Sequence, residues 1–312
     1  MLFVDEGVGR PLPVTDEIGV DESGNGYALR MLDRNGLTFA ELAELVSSMG
    51  HRYLPHAAAP YVAFMFGAKV QAVRRAIPDV VRHAGRTQIR FMGHVFARPY
   101  LVRHTRPQLC PLCALTGGYV KAAWELSLAT ACTVHEVQLV DVCSACDRRI
   151  SWRRPSLTTC WCGEEFASFL PKGADAGELW FNRCLEDKLA ASPSDSGRSD
   201  ATFPSLGALG LDCLMRLVRS LGIGSVLAGG KAVPGKVTRT LSTSEMRAVV
   251  LHGLDCCSGA SAHTSEGLKQ VWDLPGLLQD VDGADWRRLN LLFNLACVYA
   301  FGKTILSSSG RS

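Results

Sequence analysis

The chain has 312 residues, 47% apolar and 20% charged, with 30 Gly, 14 Pro and 12 Cys, a globular composition that excludes collagen-like, disordered and coiled-coil classes. A net charge of +3 selects no partner, and at roughly 150 residues per domain the length predicts two or three domains. The longest apolar stretch, residues 291–301, is interrupted by Asn294 and is about half of the ~20 residues needed to span a bilayer. The opening acids Asp5 and Glu6 do not suit a secretory leader, so the expected location is cytoplasmic, where cysteines serve as thiols or metal ligands rather than bridges.

Residues 1–22 carry six acids against Arg10, with Leu2, Phe3, Val4, Leu12, Val14 and Ile18 interspersed. This segment reads as a docking strip or a disordered tail. Ser23 caps a helix carrying Leu29 and Leu32, which ends at Gly36, and Thr38 with Glu41 forms a capping box that opens a second helix. Tyr61–Ala76 reads as a third. Three short helices with a tight first turn suit a helix-turn-helix or a plain bundle. From Lys69 to Arg106 nine basic residues face one acid, Asp79. Beyond a Ser/Asp/Gly/Pro linker at about 191–205, Leu206, Leu209, Leu214, Leu217, Val218 and Leu221 form a helical stripe. A capping box at Ser242 and Glu245 precedes Met246, Val249 and Val250, and Trp286, Leu289, Leu292, Phe293 and Ala296 mark a last helix.

The chemistry concentrates between residues 106 and 170. Seven cysteines and one histidine follow the pattern C-x2-C-x18-C-x2-H-x7-C-x2-C-x13-C-x-C. A short spacing lets one tight turn aim two side chains at a metal, and a second pair closes a tetrahedron. The natural division is Cys110, Cys113, Cys132 and His135 for one zinc ion, and Cys143, Cys146, Cys160 and Cys162 for another. A cross-braced pairing is the alternative. Two closed four-ligand sets predict structural rather than catalytic zinc, and a zinc deaminase is disfavoured because the H-x-E and P-C-x-x-C arrangement is not met. Cys184, Cys213, Cys256, Cys257 and Cys297 read as core thiols.

No phosphate-binding G-x-x-x-x-G-K-[ST] loop, G-x-S-x-G elbow or distinctive carboxylate pair occurs, so no catalytic residue is assigned and the chain is not expected to be an enzyme. Candidate nucleic-acid contacts are Arg74, Arg75, Arg82, Arg86 and Arg90 of the basic run, interleaved with Phe91, Phe96 and Tyr100, and a second patch of Arg148, Arg149, Arg153 and Arg154 beside Trp152. The competing reading in both places is a solvated face with its aromatics in the core.

The segment LCPLCALTGGYVKAAWELSLATACTVHEVQLVDVCSAC, residues 109–146, resembles the TniQ/TnsD family of transposon target-selection proteins. The shared features are C-P-x-C, then Tyr119 and Trp124 ahead of Cys132 and His135, then an apolar strand and C-x-x-C. Upstream, Glu22-Ser23, Leu29, Arg30 and Asn35-Gly36 are similar to the opening helix of that family. The resemblance covers roughly residues 20 to 165. It implies a bacterial, DNA-associated, non-catalytic adaptor of DNA transposition that recognises target DNA or a target-bound complex, in some transposons a CRISPR effector with its guide RNA, and recruits an AAA+ ATPase. A homodimer is left open. A sequence-specific, zinc-containing DNA-binding regulator is the alternative.

The resulting fold expectation is a mainly α protein with small zinc-bound β elements. It has an N-terminal helix-turn-helix-like domain (1–105), a double zinc-finger module of zinc-ribbon type (106–170) and a C-terminal helical domain (171–312).

Overall fold

The computed structural model describes residues 10–46, 53–116, 118–191, 204–226, 237–258 and 281–289. It is mostly helical with small antiparallel sheets, and it divides into two compact units, Met1–Ala190 with Thr240–Ser244, and Ala191–Arg239 with Glu245–Ser312. Among the described residues no helix is long and apolar enough to cross a membrane.

In the first unit, α1 (Gly24–Arg34) starts where Ser23 Oγ accepts from the Gly26 amide at 3.1 Å. It buries Tyr27, Ala28, Leu29, Met31 and Leu32. The opening motif has physical work in it. Arg30 donates to both oxygens of fully buried Glu22 at 2.7 and 2.9 Å, and the Asn35 amide exchanges two hydrogen bonds with the Val14 backbone at 3.0 and 2.9 Å. Residues 10–22 are thereby bound to the helices, with Leu12 N donating to Met65 O and Asp16 N to Phe66 O. That part is no loose tail, while Leu2, Phe3 and Val4 lie outside the described residues. The capping box forms as expected at the start of α2 (Phe39–Val46): Thr38 N donates to Glu41 Oε2 at 2.7 Å and Glu41 N to Thr38 Oγ1 at 3.3 Å.

The third expected helix is two. Gly67, at φ +75°, ends α3 (Ala59–Phe66), and α4 (Val70–Ala76) starts afresh after it. A left-handed residue cannot continue a right-handed helix, and glycine adopts that conformation without a Cβ penalty. Gly24 admits α4 alongside α1, since a Cβ there would sit 2.5 Å from Ile77 Cγ1 and 2.8 Å from Ala76 O.

The basic run holds an antiparallel meander of β1 (Asp79–His83), β2 (Arg86–Phe91) and β3 (His94–Phe96). These strands lie within the block expected to be helical and are separate from the expected zinc-bound β elements. Both turns are two-residue loops with successive positive φ, Ala84-Gly85 at 48° and 75° and Met92-Gly93 at 52° and 87°. Such turns match the strand twist but usually carry Asn or Asp in the first position, so Ala and Met conceal them. The register places Arg86 and Arg90 opposite His83 and Asp79 on one face, and Arg82 opposite Thr87 on the face that buries Ile89 and Phe91.

The remainder of this unit comprises α5 (Pro111–Leu115), β4 (Ala131–Cys132), β5 (Val137–Gln138) and α6 (Ala176–Ala190). Asn182 of α6 accepts from the Thr130 and Ala131 amides at 2.9 and 3.3 Å, which binds this helix to the β4 strand. In the second unit, α7 (Pro204–Gly207) precedes α8 (Leu211–Val226), which crosses α9 (Thr243–Ser258) closely. A Cβ on Gly222 would come 1.9 Å from Val249 O, and one on Gly253 2.3 Å from Val218 O. Leu206, Leu209, Leu214, Leu217 and Val218 are buried. Residues 283–289 are helical, while Leu292, Phe293, Ala296, Cys297 and most of the expected linker lie outside the described residues.

Candidate metal centres

The first ligand pair comes from α5. Cys110 occupies the N-cap position, Pro111 fixes the first helical residue, and one turn later Cys113 points back toward Cys110. The second pair rides the β4–β5 hairpin, with Cys132 ending β4 and His135 in the loop, whose sharp turn is completed by Glu136 at φ 55°. The Nδ1 atom of His135 lies 3.6, 3.2 and 3.7 Å from the sulfurs of Cys110, Cys113 and Cys132, and the sulfurs of Cys113 and Cys132 are 3.8 Å apart. A tetrahedron with metal–sulfur bonds of about 2.3 Å has edges of about 3.8 Å, so the four atoms already outline an ion.

The second centre is built from two knuckles. In one, Cys143 N donates to Arg148 O at 2.9 Å and Asp147, at φ 54°, reverses the chain after Cys146. In the other, Cys160 N donates to Glu164 O at 2.8 Å, Gly163 N to Cys160 O at 3.0 Å, and Gly163 takes φ +89°. The sulfurs of Cys143 and Cys162 are 3.7 Å apart and those of Cys146 and Cys160 3.9 Å apart. Within each group all four ligand atoms lie within 4.8 Å of one another, so the two groups could hold two metal ions. Consecutive pairs share a centre, which is the sequential arrangement and not the cross-braced one.

Without a cation, thiols this close cannot all ionise. Hydrogen bonding to Cys110 and Cys113 holds the Cys132 thiol far below its usual range, and sharing with Cys110 and Cys132 drives Cys113 far above it. Burial pushes Cys160 up to about 12, while the Glu164 backbone amide draws exposed Cys162 down to about 7. A dication removes the repulsion by attracting every thiolate at once.

The arginines separate into groups that the sequence did not distinguish. Arg75, Arg82, Arg86 and Arg90 are exposed, as are Arg148, Arg149 and Arg153, while Arg74 is half-buried. Arg154 is corrected: it is 1% exposed, bonded to Ser151 O at 2.9 Å and set over the rings of buried Trp152 and Phe166, so no phosphate reaches it. Burial lowers its guanidinium to about 9, with Cys160 opposing the shift. Trp152 is likewise core, donating to His104 O at 2.7 Å. Arg103, counted in the basic run, is a buried hub that donates to Asp141 at 2.8 Å, Gln108 at 2.9 Å and Thr243 at 3.3 Å.

Sequence reading missed Glu125, buried in the segment between the two ligand pairs of the first centre. Its carboxylate accepts from the Ser23 hydroxyl and from Asn25 Nδ2 at 3.4 Å, and burial raises it to about 7. Ser23 N also donates to Val120 O and Ala122 N to Asp21 O, so the start of α1 is stitched to the segment leading into the metal hairpin. The only sequence signal was an acid in an otherwise apolar stretch.

A helical bundle with a β meander, fused to two four-residue Cys/His groups that could each hold a metal ion, defines the module. Residues 13–139 match the model of the TniQ family. The chain therefore carries a TniQ-like domain over that span, and a TniQ domain implies a transposition-associated role in target selection. The match includes the whole first centre and ends before the second. No curated protein matches the chain.

Proposed function

We propose that the protein is a non-catalytic adaptor of DNA transposition. It links recognition of a target, presented as DNA or as a CRISPR effector complex with guide RNA, to recruitment of an AAA+ transposition ATPase. The observation that carries this reading is the TniQ match over residues 13–139, within which the opening helix is bonded to Glu125 in the segment between the two ligand pairs of the first centre. The adaptor works on DNA in the bacterial cytoplasm, and an adaptor task calls for rigid surfaces rather than a reactive group.

Both centres hold structural zinc in this proposal. Thiolate-rich tetrahedral sets favour a soft or borderline cation, and four protein ligands leave no position for substrate. Residues 1–105, with α1 and α2 as a helix-turn-helix and the exposed hairpin arginines behind them, face the target. The zinc module of 106–170 is the rigid joint, and 171–312 serves as a further binding surface.

The reading is tested by reconstitution. Purified chain, the transposon's ATPase and target are combined, and ATPase loading at the target is expected only when the chain is present. DNA cutting or joining by the chain alone overturns the adaptor role. A second reading, a sequence-specific DNA-binding regulator, is favoured by Arg82, Arg86 and Arg90 on an exposed meander following four helices. Nanomolar, sequence-selective binding by the isolated chain would select it.

A further inference from the structure

Trp161 stands between two ligands of the second centre, Cys160 and Cys162, and is 57% exposed. Trp124, Trp152 and Trp180 are buried. An indole left in water forgoes the burial free energy that those three obtain. Its backbone is held from both sides by the Cys160–Glu164 and Gly163–Cys160 hydrogen bonds. Little conformational freedom is therefore left to lose when a partner arrives.

The other knuckle of the same centre supplies cations. Arg148 and Arg149 follow Cys146, whose sulfur is 3.9 Å from that of Cys160, and both are exposed, as is Arg153. The exposed acid in this stretch is Asp147; Glu165 follows the last ligand, and the Glu164 carboxylate accepts from the Ser168 hydroxyl. From 143 to 163 Trp161 is the single large apolar side chain exposed, since Ile150, Trp152 and Leu157 are buried. A protein-docking patch would surround the indole with aliphatic groups. An exposed indole on one knuckle with exposed guanidinium groups following the other knuckle of the same centre instead fits an unpaired base and its flanking phosphates.

We propose that the tip of the second centre is a single-stranded nucleic-acid contact, in which Trp161 stacks on an unpaired base and Arg148, Arg149 and Arg153 meet the neighbouring phosphates. This deepens the adaptor reading by naming the form of nucleic acid that its target side touches. Duplex offers no such base, because each is stacked and paired within the helix.

The test is fluorescence anisotropy on the full chain, with a labelled oligo-dT strand, an oligo-U strand and a mixed-sequence duplex at several salt concentrations. Metal content of every variant is checked. Trp161→Ala is expected to weaken single-strand binding about tenfold while leaving duplex binding unchanged, and Trp161→Phe to retain most of the affinity. Replacing Arg148, Arg149 and Arg153 with Ala is expected to weaken both forms and flatten the salt slope. Loss on either strand supports the proposal, and the strand that loses more, DNA or RNA, names the source. Parent-level single-strand affinity in Trp161→Ala, equal losses on strand and duplex, or no single-strand binding by the parent overturns it. Loss of a protein partner with strand affinity intact assigns the tip to protein and also overturns it. ATPase recruitment is scored separately, so failure of the stacking role and failure of the adaptor reading are distinguished.

Discussion

The two metal centres lie in one unit and follow the same rule, two tight turns aimed at one ion, yet they differ in nearly everything around the ligands. The first group has three cysteines and a histidine and lies wholly within the TniQ span, and the segment between its ligand pairs is joined to α1 through Glu125. The surface nearest its turns is aliphatic, with Leu115 and Val134 each 64% exposed. The second uses four cysteines, lies beyond that span, leaves Cys162 exposed and presents arginines and an indole. Four thiolates around a dication leave a net charge of −2, and three leave −1. The second centre has buried Arg154 beside Cys160 to offset that extra charge. The lesson is that one ligand geometry can be a structural joint in one place and a surface carrier in another, depending on what the intervening residues bury.

The comparison breaks first at the ligands. Zinc–thiolate binding contributes on the order of 10 kcal/mol or more to folding of small modules. Cys113→Ala is therefore expected to lower metal content from two ions to one and to loosen the helical bundle as well, read by elemental analysis and amide exchange across α1. Cys162→Ala, at an exposed ligand, should remove the second ion and open residues 143–168 while exchange in α1 stays at the parent rate. Equal damage to α1 by both substitutions would mean that the centres are not separable.

Glu125 sharpens the contrast through pH. Its carboxyl rises in the folded state from the usual 4.5 to about 7, so the folded form binds the proton more tightly. Its contribution is fully present below about pH 4.5 and is lost as pH rises through about 7, a change on the order of 3 kcal/mol. Between pH 5.5 and 8, denaturant titrations of the parent should show stability falling from this source. In Glu125→Gln the decline should disappear, and an unchanged slope would remove the assignment.

The smallest effect is expected on the meander. Arg82→Ala with Arg86→Ala should change stability by no more than about 0.5 kcal/mol, because both side chains are exposed. If these residues meet phosphates, the salt dependence of duplex binding should flatten by about one unit of slope per contact. Because the register puts the two on opposite faces, a duplex is expected to respond to one of them more than to the other. Equal responses would mean that the strand tip, not a face, makes the contact.

Much of the molecule could be read without coordinates, because the signals are local. Ligand spacing depends on what one tight turn can aim at a single point, so the eight candidate ligands are legible in the pattern of Cys110 to Cys162, while the choice of sequential over cross-braced grouping came from the structure. The Ser23 cap and the Thr38–Glu41 box are three-residue devices, and both form as the sequence implies. Only the tertiary structure could decide the rest. The break at Gly67 depends on a left-handed φ that any glycine permits and none demands, and the hairpins at Ala84-Gly85 and Met92-Gly93 lack the usual turn residues. Burial is the clearest case. Arg103, Arg154 and Trp152 look in sequence like Arg148, Arg149 and Trp161, and they differ only in which distant residues close over them. Solvent exposure is a property of long-range packing, so it is written in no single segment of the chain.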